Sequence, residues 1–147
     1  MSRGAHPVLY VAEPPAQYLA RPPVVVDCSA LAGLLFQEEW LALAAERLHG
    51  RDLHAPFLLQ AEIASVALKK HRKGFADVVA DGLAQYAEMD ITLYRVEPQD
   101  ALALALRYQL SSYDAAYLWL AAELKVPLAT FDEKLGRAAA EHLAGLD

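Results

Sequence analysis

The chain has 147 residues, 56% of them hydrophobic and 22% charged, which suits one soluble-type domain with a real core. Its net charge of −6 excludes a protein whose whole surface is a footprint for nucleic acid, so such a ligand would need a local basic patch or bound cations. No apolar run nears the ~18–20 residues of a membrane span. The single cysteine, Cys28, cannot close an internal disulfide, which fits a reducing cytoplasm.

Residues 1–23, MSRGAHPVLYVAEPPAQYLARPP, differ in composition from the rest of the chain. The apolar patch VLYVA is too short and too soon interrupted by Glu13 for a signal peptide. Paired prolines at 14–15 and 22–23 disfavour both helix and central strand. This N-terminal extension is expected to supply an edge strand over 8–12 or a clasp on a neighbouring subunit.

The domain proper is expected over 24–147. VVVD (24–27) is a β-branched run typical of a buried parallel strand. Ser29 then caps a helix over ALAGLLFQ, and EEWLALAAERLH (38–49) predicts a second helix ending at Gly50. LHAPF (53–57) is a weak strand, and LLQAEIASVALKKHRK (58–73) a strong helix stopped by Gly74. A further helix spans 75–89, ITLYRV (91–96) alternates as a strand does, and 98–110 opens with a proline suited to a first helical turn. Helix 111–126, strand PLAT (127–130) and helix 132–143 complete the chain. This order predicts an α/β fold with a small parallel sheet of about four strands. Ligand chemistry in such sheets gathers outside the carboxyl ends of the strands.

Acids stand at those ends. Asp27 closes the first strand and Asp132 follows the last, while Asp114 and Glu62 lie in the first turns of two helices. Each has an ordinary structural reading. Asp114 falls three residues after Ser111 in a capping arrangement, Asp132 or Thr130 can cap the last helix, and Glu62 can be a solvated helix residue. Asp27, set against apolar neighbours, is the hardest to explain that way. Gathered together, four carboxylates repel one another unless some take up protons or a cation joins them. The cation suited to oxygen-only ligands is Mg²⁺ or Mn²⁺, and zinc spacing is missing. Acid clusters of this kind serve phosphodiester hydrolysis.

VVVDCSAL, LLQAEIASVAL and LSSYDAAYLWLAAELKVPLATFDEKL resemble, in that order over about residues 24–142, the three signature regions of PIN domains. The likeness is greatest to bacterial VapC-type toxins of toxin–antitoxin modules, and its most specific part is S-x-Y-D-A-A-Y-L followed by P-L-x-T-x-D. The resemblance implies a three-layer α/β/α fold and a Mg²⁺- or Mn²⁺-dependent endoribonuclease, with Asp27, Glu62, Asp114 and Asp132 at the metal site and Thr130 supporting it. Ser29 is similar to the small polar residue after the first acid. The resemblance also implies a homodimer and a cognate antitoxin protein as partners. The N-terminal extension lies outside the pattern, and the chain ends at HLAGLD, where relatives generally add a short edge strand.

KKHRK (69–73) is the one concentrated basic run. Positive charge there favours a helix C-terminus. The sharper expectation is RNA phosphate contact through Lys69, Lys70, Arg72 and Lys73, since Lys69 lies two turns, ~10 Å, from Glu62. The apolar segment 34–44 is a candidate antitoxin groove or ordinary packing. Helix 113–124 carries a stripe of Tyr113, Ala116, Tyr117, Leu120 and Leu124 suited to core burial. The alternative function is a non-catalytic module that uses the same pocket to bind RNA or protein. A phosphoacceptor domain is disfavoured, because VVVDCSA holds one acid and Lys134 lies beyond the last strand. A D-x-D nucleophile is excluded by Ser29.

Overall fold

The structure, a computed structural model, describes residues 7–14 and 21–146. Parts of the expected N-terminal extension, residues 1–6 and 15–20, lie outside that range, as does residue 147.

Three consecutive valines set the centre of the fold. Strand β2 (Pro23–Val26) buries Val24, Val25 and Val26 completely, as a strand covered on both faces must. Parallel neighbours flank it: β3 (Asp52–Pro56) on one side and β5 (Leu128–Thr130) on the other, with β4 (Ile91–Tyr94) beyond β3. These are the four expected parallel strands. A fifth, β1 (Tyr10–Ala12), pairs antiparallel with β5 in the register Tyr10 to Thr130 and makes the sheet order β1-β5-β2-β3-β4. The Tyr10 ring lies against Gly136, where no Cβ would fit.

Seven helices among the described residues cover the sheet in a three-layer α/β/α arrangement: α1 (Cys28–Leu35), α2 (Leu41–Leu48), α3 (Leu58–Arg72), α4 (Ala76–Glu88), α5 (Pro98–Tyr108), α6 (Ser112–Leu124) and α7 (Glu133–Ala144). Local chemistry explains their ends. Pro98 opens α5, and Gln109 and Lys125 close α5 and α6 in the left-handed region at φ 56°. A side chain on Gly82 would meet the Leu35 carbonyl at 2.5 Å, so glycine is what lets α4 lie on the end of α1. Successive residues of β2 face opposite sides. Val25 joins the large core with Leu31, Leu59, Ile63, Tyr117, Leu118 and Leu135, while Val24 and Val26 pack with Leu48 and Ala129.

One expectation needs correction. Tyr113 leaves the predicted stripe: it is 61% exposed, while Ala115, Ala116, Tyr117, Leu118, Leu120 and Ala121 are buried around most of α6. The helix is central, and its first turn projects beyond the core. Segment 34–44 also spends apolar residues inward, burying Leu35, Phe36 and Ala44. An open apolar groove lies between α3 and α4, lined by residues including Ile63, Leu68, Val79 and Leu83.

Candidate active site

The parallel pairing of β2 with β5 brings two strand ends together at one edge, where the Asp27 amide donates to the Ala129 carbonyl. Asp27 ends the strand and caps α1, its Oδ1 accepting from the Ala30 amide at 3.0 Å and the Ser29 hydroxyl at 2.7 Å. Its Oδ2 accepts from the Thr130 hydroxyl at 2.5 Å. The cap of α1 is therefore Asp27 rather than Ser29. Ser29 instead braces the edge, accepting the Phe131 amide at 2.9 Å and standing 3.3 Å from the Thr130 hydroxyl.

Asp27 is 5% exposed. Burial drives its carboxyl up from 3.8 to about 6, although the bonds from Thr130, Ala30 and Ser29 pull the other way, and the charge of Asp114 adds to the rise. Thr130 is wholly buried and also accepts the Asp132 amide at 2.9 Å. Asp132 caps α7, with Oδ1 accepting the Leu135 amide at 2.8 Å, and its side chain stands at the exposed rim.

Asp114 enters from α6, whose cap is Ser111 accepting the Asp114 amide at 3.0 Å. Half-buried, it too is pushed up, first by burial and then by the charges of Asp132 and Glu62, with Ser111 and Lys134 opposing. Glu62, in the second turn of α3, accepts the Tyr117 phenol at 2.6 Å. The charges of Asp132 and Glu62 thus reach Asp114, and the charge of Asp114 reaches Asp27.

Comparison with known proteins resolves what kind of domain carries this edge. The family model of the PIN domain matches residues 24–141. The chain belongs to the PIN domain family. Ribonuclease VapC3 of Pyrobaculum aerophilum is 33% identical to this PIN domain over 119 residues, 76% of this chain and 91% of that protein. Ribonuclease VapC9 of Mycobacterium tuberculosis is 38% identical over 117 residues, 76% of this chain and 87% of the other. These relatives make it a PIN domain of the VapC type. The crystal structure of PAE2754 from Pyrobaculum aerophilum superimposes with a TM-score of 0.65 at 21% identity, over 84% of this chain and 82% of that one, a likeness of fold.

Two tyrosines of this PIN domain stand beside Glu62 in a way that the sequence pattern conceals. Tyr117 has the look of one more apolar residue of α6, yet it is 1% exposed and its hydroxyl holds Glu62. A signal exists, since a phenol inside an apolar helix needs a polar partner. Tyr117→Phe is expected to cost about 1–2 kcal/mol in a urea melt through loss of that bond to a charged acceptor. Unchanged stability would mean that water serves Glu62 equally well. Tyr113, one residue before Asp114, lines a groove with Glu62, Ser65 and Lys69.

The four cations of the basic run separate. Lys69 lines that groove, whereas Lys70 is tied to Glu38 at 2.7 Å and lies over the Phe75 ring. Arg72 and Lys73 are exposed at the far end of α3. Cys28 faces the acids, but burial and the charges of Glu62 and Asp27 push its thiol up to about 12, too high for a thiolate ligand or nucleophile near neutrality.

Among the described residues, no three Asp, Glu, His or Cys side chains stand close enough to enclose a metal ion as they are turned. The donor set nevertheless fits a hard divalent cation by its chemistry. It is made of carboxylate oxygens, and two of those carboxyls, Asp27 and Asp114, are raised by burial and by the charge of neighbouring acids, the penalty a cation relieves.

Proposed function

We propose that this PIN domain is an endoribonuclease dependent on Mg²⁺ or Mn²⁺, and the toxin of a toxin–antitoxin pair. Asp27, Asp114 and Asp132 would hold the cation, with Glu62 as a further ligand or as the group that positions water. The observation that carries this reading is Asp27, buried at the end of β2 and pushed up to about 6, with the charge of Asp114 reaching it and those of Asp132 and Glu62 reaching Asp114. The printed names of the relatives, ribonucleases of the VapC type, support the substrate class.

When bound, the cation would supply a Lewis acid that eases deprotonation of a water and offsets charge on the phosphate. The chain supplies the rest. Thr130 and Ser29 keep the Asp27 carboxylate turned to the sheet edge through three fixed donors, counting the Ala30 amide. A carboxylate has about four acceptor positions, so one on Oδ2 remains for a ligand. Tyr117 keeps Glu62 at the same opening and leaves its second oxygen for water or ion.

The same reading includes a homodimer, supported by Leu102 and Leu106 of α5, one turn apart and 56% and 72% exposed. It includes an antitoxin segment as protein partner and a cytoplasmic location, where RNA and a free thiol are both at home. No described helix is long and apolar enough to cross a membrane.

The direct test is Asp114→Asn with Mn²⁺ titration. Wild type should cut single-stranded RNA only with added divalent ion and stop in EDTA. The variant should be slower by about 10²- to 10³-fold, equivalent to ~3–4 kcal/mol of lost charge stabilisation, at saturating Mn²⁺. Equal cleavage by the two proteins would overturn the assignment.

A further inference from the structure

The groove beside the acids has about 350 Å³ of space and opens between α3 and the start of α6. Glu62, Ser65 and Lys69 follow one another at helical spacing down its α3 wall, with Leu58 and Val66 giving apolar surface. Opposite stands Tyr113, 61% exposed on a helix that is otherwise core. One end of this groove therefore meets the acid cluster at Glu62, and the other is marked by the Lys69 ammonium. Apolar walls, an aromatic ring open to solvent and one cation suit a ligand with a flat face and a negative group. The volume is at the small end of the range for ligand sites, about 300–1,000 Å³, and suits one residue of a polymer rather than a helix or a folded partner. Lys70, by contrast, is neutralised by Glu38, so the charge that faces the groove is that of Lys69.

We propose that Tyr113 and Lys69 form a single-nucleotide subsite next to the acids, the Tyr113 ring stacking the base that flanks the scissile phosphate and Lys69 pairing with that nucleotide's own phosphate. The inference rests on the ribonuclease reading for what happens at the acids, and adds how the strand is held and where base preference enters. Stacking on an aromatic ring tolerates every base but favours the more strongly stacking ones, so the subsite biases sequence without base-edge readout. Lys69 acts as a point charge whose contribution falls with salt.

Equilibrium binding of a short single-stranded RNA in EDTA, followed by fluorescence anisotropy, tests the subsite apart from cleavage. Tyr113→Ala is expected to weaken binding by about ten-fold or more, the loss of one stacked base, while Tyr113→Phe stays within about two-fold because the ring remains. Both residues are exposed, so folding is not at stake. Lys69→Ala should lower the log–log salt slope by about 0.7, one phosphate on a single strand. An abasic scan along the RNA supplies the second axis. One abasic position should weaken wild type as much as Tyr113→Ala does, and should weaken Tyr113→Ala no further. Unchanged affinity on Tyr113→Ala, or an abasic penalty equal in both proteins at every position, overturns the subsite. Unchanged RNA affinity together with a loss of self-association in sedimentation would overturn it in favour of a protein segment in the groove. Failure of the ribonuclease reading would show separately, as no cleavage by wild type in Mn²⁺.

Discussion

Replacing Asp27 by asparagine is expected to remove cleavage and, without metal at neutral pH, to make the protein more stable. The two effects have one cause. Asp27 is 5% exposed, and its carboxyl is raised from 3.8 to about 6 chiefly by burial, so holding it ionised in the fold costs about 3 kcal/mol. Linkage sets the sign. Between pH 3.8 and about 6 the folded chain binds more protons than the unfolded one, so stability falls as pH rises through that window. The penalty is complete above it and gone below it. Asparagine carries no charge to bury. Its carbonyl oxygen can keep the bonds from Ala30 and Ser29, and its amide can donate to the Thr130 hydroxyl, which is free to turn toward Ser29 3.3 Å away.

In EDTA at pH 7.5, urea melts of Asp27→Asn should therefore show a gain of up to about 3 kcal/mol, shrinking toward zero near pH 4. Cleavage in Mn²⁺ should fall by about 10³-fold or more, because a neutral amide is a poor partner for a hard cation. A variant less stable than its parent at pH 7.5 would show that the carboxylate is not under strain from burial. A variant that still cleaves would remove Asp27 from the site.

Thr130→Val is expected to harm both fold and activity. The hydroxyl is wholly buried and has two duties, donating to Asp27 Oδ2 and accepting the Asp132 amide. Valine keeps the shape and leaves both partners unsatisfied, at roughly 1–3 kcal/mol each. We expect a loss of about 3 kcal/mol at pH 7.5. It should be smaller in acid, since losing a bond that lowers the Asp27 carboxyl moves its titration still higher and the protonated form needs that donor less. Thr130→Ser should restore most of both losses. If the valine variant behaved as the parent in melts at both pH values, the hydroxyl would not be bracing the edge.

The succession of strands and helices along the chain and the acids at strand ends were legible in the sequence because both follow from short-range rules. Val24–Val26 is a run only a doubly covered strand tolerates, and parallel strands put their C-terminal residues at one edge. What could not be read depended on contacts between distant segments. Ser29 has the right chemistry for a cap, and only the placement of Thr130 and Phe131 shows why Asp27 caps while Ser29 braces. Tyr117 and Glu62 are 55 positions apart, and Lys70 finds Glu38 across a loop. Strand β1 is three residues long and makes sense only once β5 offers it an edge. Charge runs mislead for the same reason: KKHRK reads as one patch, yet its lysines 69 and 70 face different surroundings.

Anomalous diffraction at the manganese edge, from crystals grown with Mn²⁺, tests the central claim most directly. A peak beside the Asp27 and Asp114 carboxylates is the expected result. An ion bound only elsewhere, or none at that edge at saturating Mn²⁺, would contradict it.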